Sequence, residues 1–273
     1  MATTEKRGGL SVGAWPRARR WARSLVLALA AGSATFAACN TVPITGRRAL
    51  NAFSPAEDVT LGREAYAQVL AEGKVVTSGP EVALVRRVMR RLVAVADDAG
   101  YEWEVNLLDA PDTVNAFALP GGKMAVYTGI LPVTQTEAGL AVVMGHEIGH
   151  VVARHGTERM TRAYGTQMIV GLITNKDYGT LAQGLLNLLV ELPYGRSQES
   201  EADRIGQMYM ARAGYDPAEA IRLWQRMEKL TGSSGPEFLS THPSHATRIA
   251  DLQRWLPEAE AAYEASGGPP GGR

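Results

Sequence analysis

The chain has 273 residues, 45% of them hydrophobic and 21% charged, with a formal net charge of zero. That balance suits one globular domain with appendages, and it excludes a collagen-like fibre, a wholly disordered chain and a small disulfide-stapled scaffold. No apolar run reaches the roughly 18 residues of an ordinary membrane span, which excludes a multispanning protein. Residues 1–38 read as an export signal: Arg17, Arg19, Arg20 and Arg23 form a basic start, and the stretch from Leu25 to Ala38 is apolar or small. Without them 22 basic residues stand against 27 acidic ones, a balance that argues against nucleic acid as a partner. Cys39 is the one cysteine, so the domain after it has no internal disulfide and no thiolate ligand. Any metal must be held by His, Asp or Glu.

Residues 39–53 read as an irregular leader, with Pro43 and Gly46 as breakers. A helix is expected from Ser54, because Ser54-Pro55-Ala56-Glu57 combines an N-cap, a proline in the first turn and a capping-box glutamate. Val82, Val85, Val88, Met89, Leu92 and Val95 recur at helical spacing and predict a second helix. Trp103, Val105 and Leu107 alternate as in a strand. Ala116–Leu119 and Met124–Tyr127 flank Pro120-Gly121-Gly122 and predict a hairpin. A third helix is expected from the capping-box pattern Thr134-Gln135-Thr136-Glu137 to about His155. The apolar stretches Met168–Ile173 and Leu185–Val190 are separated by Asn175-Lys176-Asp177-Tyr178-Gly179, which predicts two short helices rather than one membrane span. Further helices are expected at about Ser197–Ala213, from Asp216-Pro217 to about Leu230, and from about His245 to Leu256. The Gly- and Pro-rich end reads as disordered.

All five histidines fall in two short stretches, at 146, 150 and 155 and at 242 and 245. His146-Glu147-Ile148-Gly149-His150 is an H-E-x-x-H motif inside the third expected helix. His146 and His150 lie one turn and about 40° apart, so both imidazoles can point at one metal ion. Glu147 is offset by about 100°, within reach of a metal-bound water rather than the metal. A catalytic zinc needs a third protein ligand. The acidic run Glu199-Ser200-Glu201-Ala202-Asp203 could supply it or be an exposed helix face. On a helix Glu199 and Asp203 share a face while Glu201 is turned about 200° from Glu199, so the two glutamates cannot both face a metal.

These motifs, with Asn115-Ala116-Phe117-Ala118 and Gly121-Gly122 in the hairpin, resemble the bacterial HtpX, LoiP and BepA zinc peptidases. Those are relatives of the CAAX prenyl endopeptidase in the gluzincin class. Phe36-Ala37-Ala38-Cys39 is similar to the lipobox of bacterial lipoproteins, in which Cys39 would become the acylated N-terminus. Thr41-x-Pro43-x-Thr45-Gly46-Arg47-Arg48 is similar to the leader of the family's lipoprotein members, and Thr241-His242-Pro243 with Arg248-Ile249 resembles its C-terminal motif.

The resemblance implies an α+β, mainly helical, zincin-like domain over residues 54–256, with a small β-sheet or hairpin beside the H-E-x-x-H helix; residues 257–273 after it read as a disordered tail. It implies one Zn2+ per chain held by His146, His150 and Glu199, with Glu147 as general base. Asp203 would orient a zinc histidine, and Glu201 would sit where the family is permissive. His242 would occupy the open zinc position and hold the enzyme latent. Arg248 would brace the active-site loop or stabilise developing charge, while His155 and His245 would be structural or surface residues. Asn115, Ala116 and Phe117 offer an edge strand to which an extended substrate can add. The activity implied is endoproteolysis of unfolded or misfolded envelope proteins, by an enzyme attached to the membrane through lipid on Cys39. A zinc-containing holdase with a latent or inactive site is the competing reading. Asn40, in place of the aspartate that retains lipoproteins at the inner membrane, points by analogy to the outer membrane, facing the periplasm. The oligomeric state has no signature in the chain.

Overall fold

The computed structural model describes Met1 and residues 39–97, 100–191, 193–230, 237–243 and 246–268. The expected signal after Met1, at 2–38, the Cys39 side chain and His245 lie outside the described residues.

The leader is ordered, not irregular. Strands β1 (Cys39–Thr41) and β2 (Arg48–Leu50) form a two-stranded ladder. Pro43 and Gly46 shape a tight turn between them, in which Gly46 takes φ +68° and its N–H donates to the Val42 carbonyl. Val42 is fully buried in the domain core, which fixes the turn in place.

Helix α1 (Pro55–Glu72) starts as its sequence specifies: the Ser54 hydroxyl accepts from the Glu57 N–H, and the Glu57 carboxylate accepts from the Ser54 N–H. Helix α2 (Pro80–Val93) buries the stripe Val82, Val85, Val88, Met89 and Leu92. A four-stranded sheet follows from β3 (Val75–Val76), β4 (Glu104–Leu108), β5 (Ala116–Leu119) and β6 (Lys123–Tyr127), in the order β3-β4-β6-β5. The expected hairpin is the antiparallel pair β5–β6, with Ala118 opposite Met124. β4 runs parallel to β6, so β5 is left as a free edge. Alternate side chains give the sheet two apolar faces: Val105, Leu107, Met124 and Val126 enter one core, and Leu108, Leu119 and Ala125 a second.

After a short α3 (Leu131–Thr134), helix α4 (Glu137–Val152) is capped by Thr136, whose hydroxyl accepts from the Gly139 N–H. Thr134 closes the preceding turn instead of opening this helix. Every residue of α4 from Gly139 onward is buried, so it is the central helix of the domain. It ends before the expected His155, because Arg154 takes a left-handed conformation (φ +59°). The Arg154 guanidinium donates to Asp58 at 2.6 Å and to the Phe53 carbonyl at 2.6 Å, which holds the reversal. The chain then forms α5 (His155–Tyr164), α6 (Thr166–Thr174) and α7 (Tyr178–Glu191). The two apolar stretches are thus separate helices, and among the described residues no helix is long and apolar enough to cross a membrane. Helices α8 (Arg196–Arg212), α9 (Ala218–Lys229), α10 (Glu237–Thr241) and α11 (Ala246–Ala265) complete the domain. The last runs through Pro257 and nine residues past the expected end at Leu256, so most of the tail read as disordered is helical; Ala259 on it is buried.

The closest helix pairing joins α4 to α8. A Cβ on Gly149 would lie 2.7 Å from the Ala202 carbonyl oxygen, and one on Gly206 would lie 2.7 Å from the His146 backbone nitrogen. The two backbones touch where glycine leaves room, and this brings the acidic run of α8 against the histidine face of α4. Gly149→Ala is therefore expected to lower stability by about 1–3 kcal/mol through enforced backbone separation. Gly171→Ala, in α6 with nothing within 4 Å of the added methyl, should be neutral or stabilising by up to about 1 kcal/mol. Thermal unfolding of the two variants checks this, and equal melting temperatures would contradict it.

Candidate metal centre

Four buried side chains converge at the α4–α8 crossing: His146, His150, Glu199 and His242. His146 Nε2 lies 3.1 Å from His150 Nε2 and 3.2 Å from His242 Nδ1. Glu199 Oε1 lies 3.3 Å from His150 Nε2 and 3.0 Å from His242 Nδ1, and Oε2 lies 3.5 Å from His146 Nε2. Tetrahedral zinc with bonds of about 2.0–2.1 Å requires ligand atoms about 3.3 Å apart. The donor set and its spacing fit such an ion: imidazole nitrogens and one carboxylate, aimed inward.

The hydrogen bonds behind these residues fix which ring nitrogen each histidine offers. His146 Nδ1 donates to Asp203 Oδ1 at 2.9 Å, which turns Nε2 toward the cluster. His150 Nδ1 lies 2.9 Å from His155 Nδ1, and His155 Nε2 donates to Glu201 Oε2 at 2.9 Å. Because a carboxylate only accepts, His155 Nδ1 is an acceptor, and His150 donates to it. His150 Nε2 is then free for the metal. Arg248 donates to both oxygens of Asp203 at 2.7 and 2.6 Å and to Glu199 Oε2 at 2.7 Å, with its guanidinium 3.5 Å above the Trp224 ring. It also reaches the carbonyls of His242 and Pro243, so it ties the two acids to the loop that carries His242.

Burial acts on all these groups, and their neighbours decide the outcome. Against burial, the Asp203 and Glu199 carboxylates lift His146 to about 9, so a metal ion binding at Nε2 displaces a proton from this ring. Burial raises Glu147 above the usual carboxylate range, only partly opposed by His242 and His146. Glu199 goes the other way: although burial would raise it, His242, Arg248 and His146 hold it well below that range. Glu147 lies beside the ligands, not among them. Its Oε2 accepts from the Ala118 N–H of β5 at 3.1 Å. Its Oε1 makes no hydrogen bond among the described residues, although His242 Nε2 is 3.3 Å away.

The His242 ring fills the fourth corner, stacked between Phe238 (4.5 Å between centroids) and Tyr194 (5.3 Å). Asn115 precedes β5, and its side-chain oxygen accepts from the Ala116 N–H at 2.8 Å. Phe117 faces a cavity of about 740 Å³ that opens onto Glu147 and His242. Two residues outside the expected ligand set support it. His155 is fully buried and touches a metal-facing histidine, and Glu201, expected at a permissive position, is buried and hydrogen-bonded. In an uninterrupted helix residues five apart lie about 140° apart around the axis, so the spacing of His150 and His155 hid their contact. Only the helix break at Arg154 creates it.

Asp203→Asn weakens both the His146 and the Arg248 hydrogen bonds, and the zinc dissociation constant should rise about 10–100-fold. Competition with a chromophoric chelator measures this; an unchanged constant would contradict the assigned role.

Residues 81–256 match the family described as Peptidase family M48. The chain is 40% identical over 232 residues to the mitochondrial metalloendopeptidase OMA1 of Schizosaccharomyces pombe, covering 82% of this chain and 68% of that protein. It is 30% identical over 251 residues to mitochondrial metalloendopeptidase OMA1 of Homo sapiens, covering 84% and 48%. With the beta-barrel assembly-enhancing protease of Escherichia coli it shares 26% identity over 234 residues, covering 78% and 47%. The chain thus spans between about half and two thirds of the length of these relatives. These matches overturn the expected outer-membrane, periplasm-facing location, since the relatives of higher identity are mitochondrial proteins. An arginine-rich, acid-poor N-terminal segment is common to export signals and mitochondrial presequences, so residues 1–38 did not separate the two. With the family shared over most of the domain and a buried donor set that fits zinc, the chain belongs to peptidase family M48 and is a zinc metalloendopeptidase.

Proposed function

We propose that this endopeptidase cleaves unfolded segments of misfolded or misassembled proteins, and that the arrangement described is its latent state. The observation that carries the reading is Glu147: a buried carboxylate with one oxygen held by the edge strand and the other facing the cleft without a hydrogen bond. A structural metal site has no use for such a base.

A zinc ion held by His146, His150 and Glu199 would supply polarisation of the scissile carbonyl and a water pKa lowered towards ~7. The chain's own residues account for the rest. An extended peptide adds to the free edge of β5, where the backbone of Ala116 and Ala118 points away from β6. Main-chain pairing of that kind asks for an unfolded strand and little sequence, which suits quality control. The cleft walls from Phe117, Tyr127, Leu186 and Leu189 take apolar side chains next to the scissile bond. Glu147 Oε1 receives the proton of the attacking water and returns it to the leaving amine nitrogen. Its upward-shifted pKa suits it to both transfers.

His242 stands where substrate and water must enter. Its Nδ1 completes the ligand set and its Nε2 faces Glu147, so the base and the fourth corner are covered together. Withdrawal of the loop after α10, which carries the ring, would open the centre. The site geometry supports latency over the alternative of a permanently inactive holdase because Glu147 is retained in working position.

Three variants are tested for cleavage of unfolded casein and for bound zinc. Glu147→Gln should retain zinc and lose about 10²–10⁴-fold in kcat/KM. His242→Ala should cleave faster than the unaltered chain while Glu199→Gln loses zinc. Undiminished cleavage by Glu147→Gln would refute the mechanism, and slower cleavage by His242→Ala would refute latency.

A further inference from the structure

The turn of the leader reaches the back of the metal centre. Thr45 and Arg47 flank Gly46 and point the same way, into the space between α5 and α8. The Thr45 hydroxyl donates to Glu201 Oε1 at 2.5 Å, and Arg47 Nε donates to Glu201 Oε2 at 2.6 Å. The Arg47 guanidinium also donates both terminal nitrogens to Glu158, at 3.0 Å each. Glu158 is fully buried on α5, three residues after His155. One arginine therefore pins the helix that carries His155 to the helix that carries Glu201 and Glu199.

The Glu201 oxygens hold three donors: Thr45, Arg47 and His155. The carboxylate cannot rotate without breaking at least one of these bonds, and its fixed plane sets the His155 ring. The His155 ring, through Nδ1, sets the His150 ring. The order of bonds is Arg47 and Thr45 to Glu201, Glu201 to His155, His155 to His150. On the other side of the centre Asp203 performs the corresponding task for His146 alone, without an intervening ring.

We propose that Thr45 and Arg47 of the leader are positioning residues of the zinc centre, acting through Glu201 and His155 on the orientation of His150. The segment just after Cys39 is then a structural part of the metal site. Displacing it weakens zinc binding without touching a ligand. The inference rests on His150 being a zinc ligand, and the test separates failure of that reading from failure of the proposal.

The experiment uses the purified full chain and zinc competition with a chromophoric chelator. The melting temperature of the metal-free protein and the visible spectrum of the cobalt-substituted form are read alongside. Arg47→Met and His155→Phe are each expected to raise the zinc dissociation constant about 10-fold, near the lower end of what supporting residues contribute. The double variant should bind no more weakly than the weaker single one, because both changes interrupt one path. Both should shift the cobalt band. Asn51→Ala is the control: it removes the hydrogen bond from the leader to Thr157 at 2.8 Å, away from Glu201. It should lower the metal-free melting temperature and leave the dissociation constant unchanged. Thr45→Val serves if Arg47→Met does not fold, with a several-fold weakening of zinc expected. An Arg47→Met chain that melts lower yet binds zinc as tightly as the unaltered chain overturns the proposal, as do multiplying effects in the double variant. If His150→Ala binds zinc as well as the unaltered chain does, the ligand reading itself is overturned.

Discussion

The contact on which everything else depends is the backbone-to-backbone crossing of α4 and α8. Gly149 and Gly206 remove the side chains that would separate them, and the Ala202 carbonyl and the His146 backbone occupy that room. With a larger residue at either position Glu199 would stand off from His146 and His150, and four donor atoms could not come within bonding range of one ion. The crossing also sets what lies behind the ligands. Asp203, one turn after Glu199, meets His146, while Glu201, on the opposite side of α8, faces α5 and the leader.

Identical side-chain types take different roles here because their partners differ. Glu147 and Glu199 are both buried carboxylates in one cavity. Glu199 is surrounded by Arg248 and histidines, which favour its charge and make it a good ligand. Glu147 has one backbone N–H and weaker electrostatic support, so burial dominates and its proton affinity rises. Each metal-facing histidine of α4 gives its outer N–H to an acceptor, one to a carboxylate and one to a second histidine, so the inner nitrogens are aimed at one point before any metal binds.

Much of this was legible from local pattern. The H-E-x-x-H spacing, the Ser54 cap, the β5–β6 hairpin and the opposed faces of Glu199 and Glu201 all follow from helix and strand periodicity, and the α+β, mainly helical class holds. What escaped depends on contacts distant in sequence. His155 meets His150 only because Arg154, held by Asp58 from another helix, breaks the helix between them. The leader read as irregular because Pro43 and Gly46 terminate regular structure in general, whereas here buried Val42 and the Arg47 pairs lock the turn. Residues 257–265 read as part of the tail, but α11 continues through them and Ala259 on it is buried. Residues 1–38 carry a compositional signal shared by two targeting routes, and composition could not choose between them.

Zinc K-edge X-ray absorption of the zinc-loaded chain, beside the His242→Ala variant, tests the central claim most directly. That claim is a centre built at the α4–α8 crossing and closed by a third imidazole. It predicts three imidazoles and one carboxylate around zinc in the unaltered chain, the donors being His146, His150, His242 and Glu199, and one imidazole fewer in the variant. The same imidazole count in both proteins would contradict closure by His242. Fewer than two in the unaltered chain would contradict the centre itself.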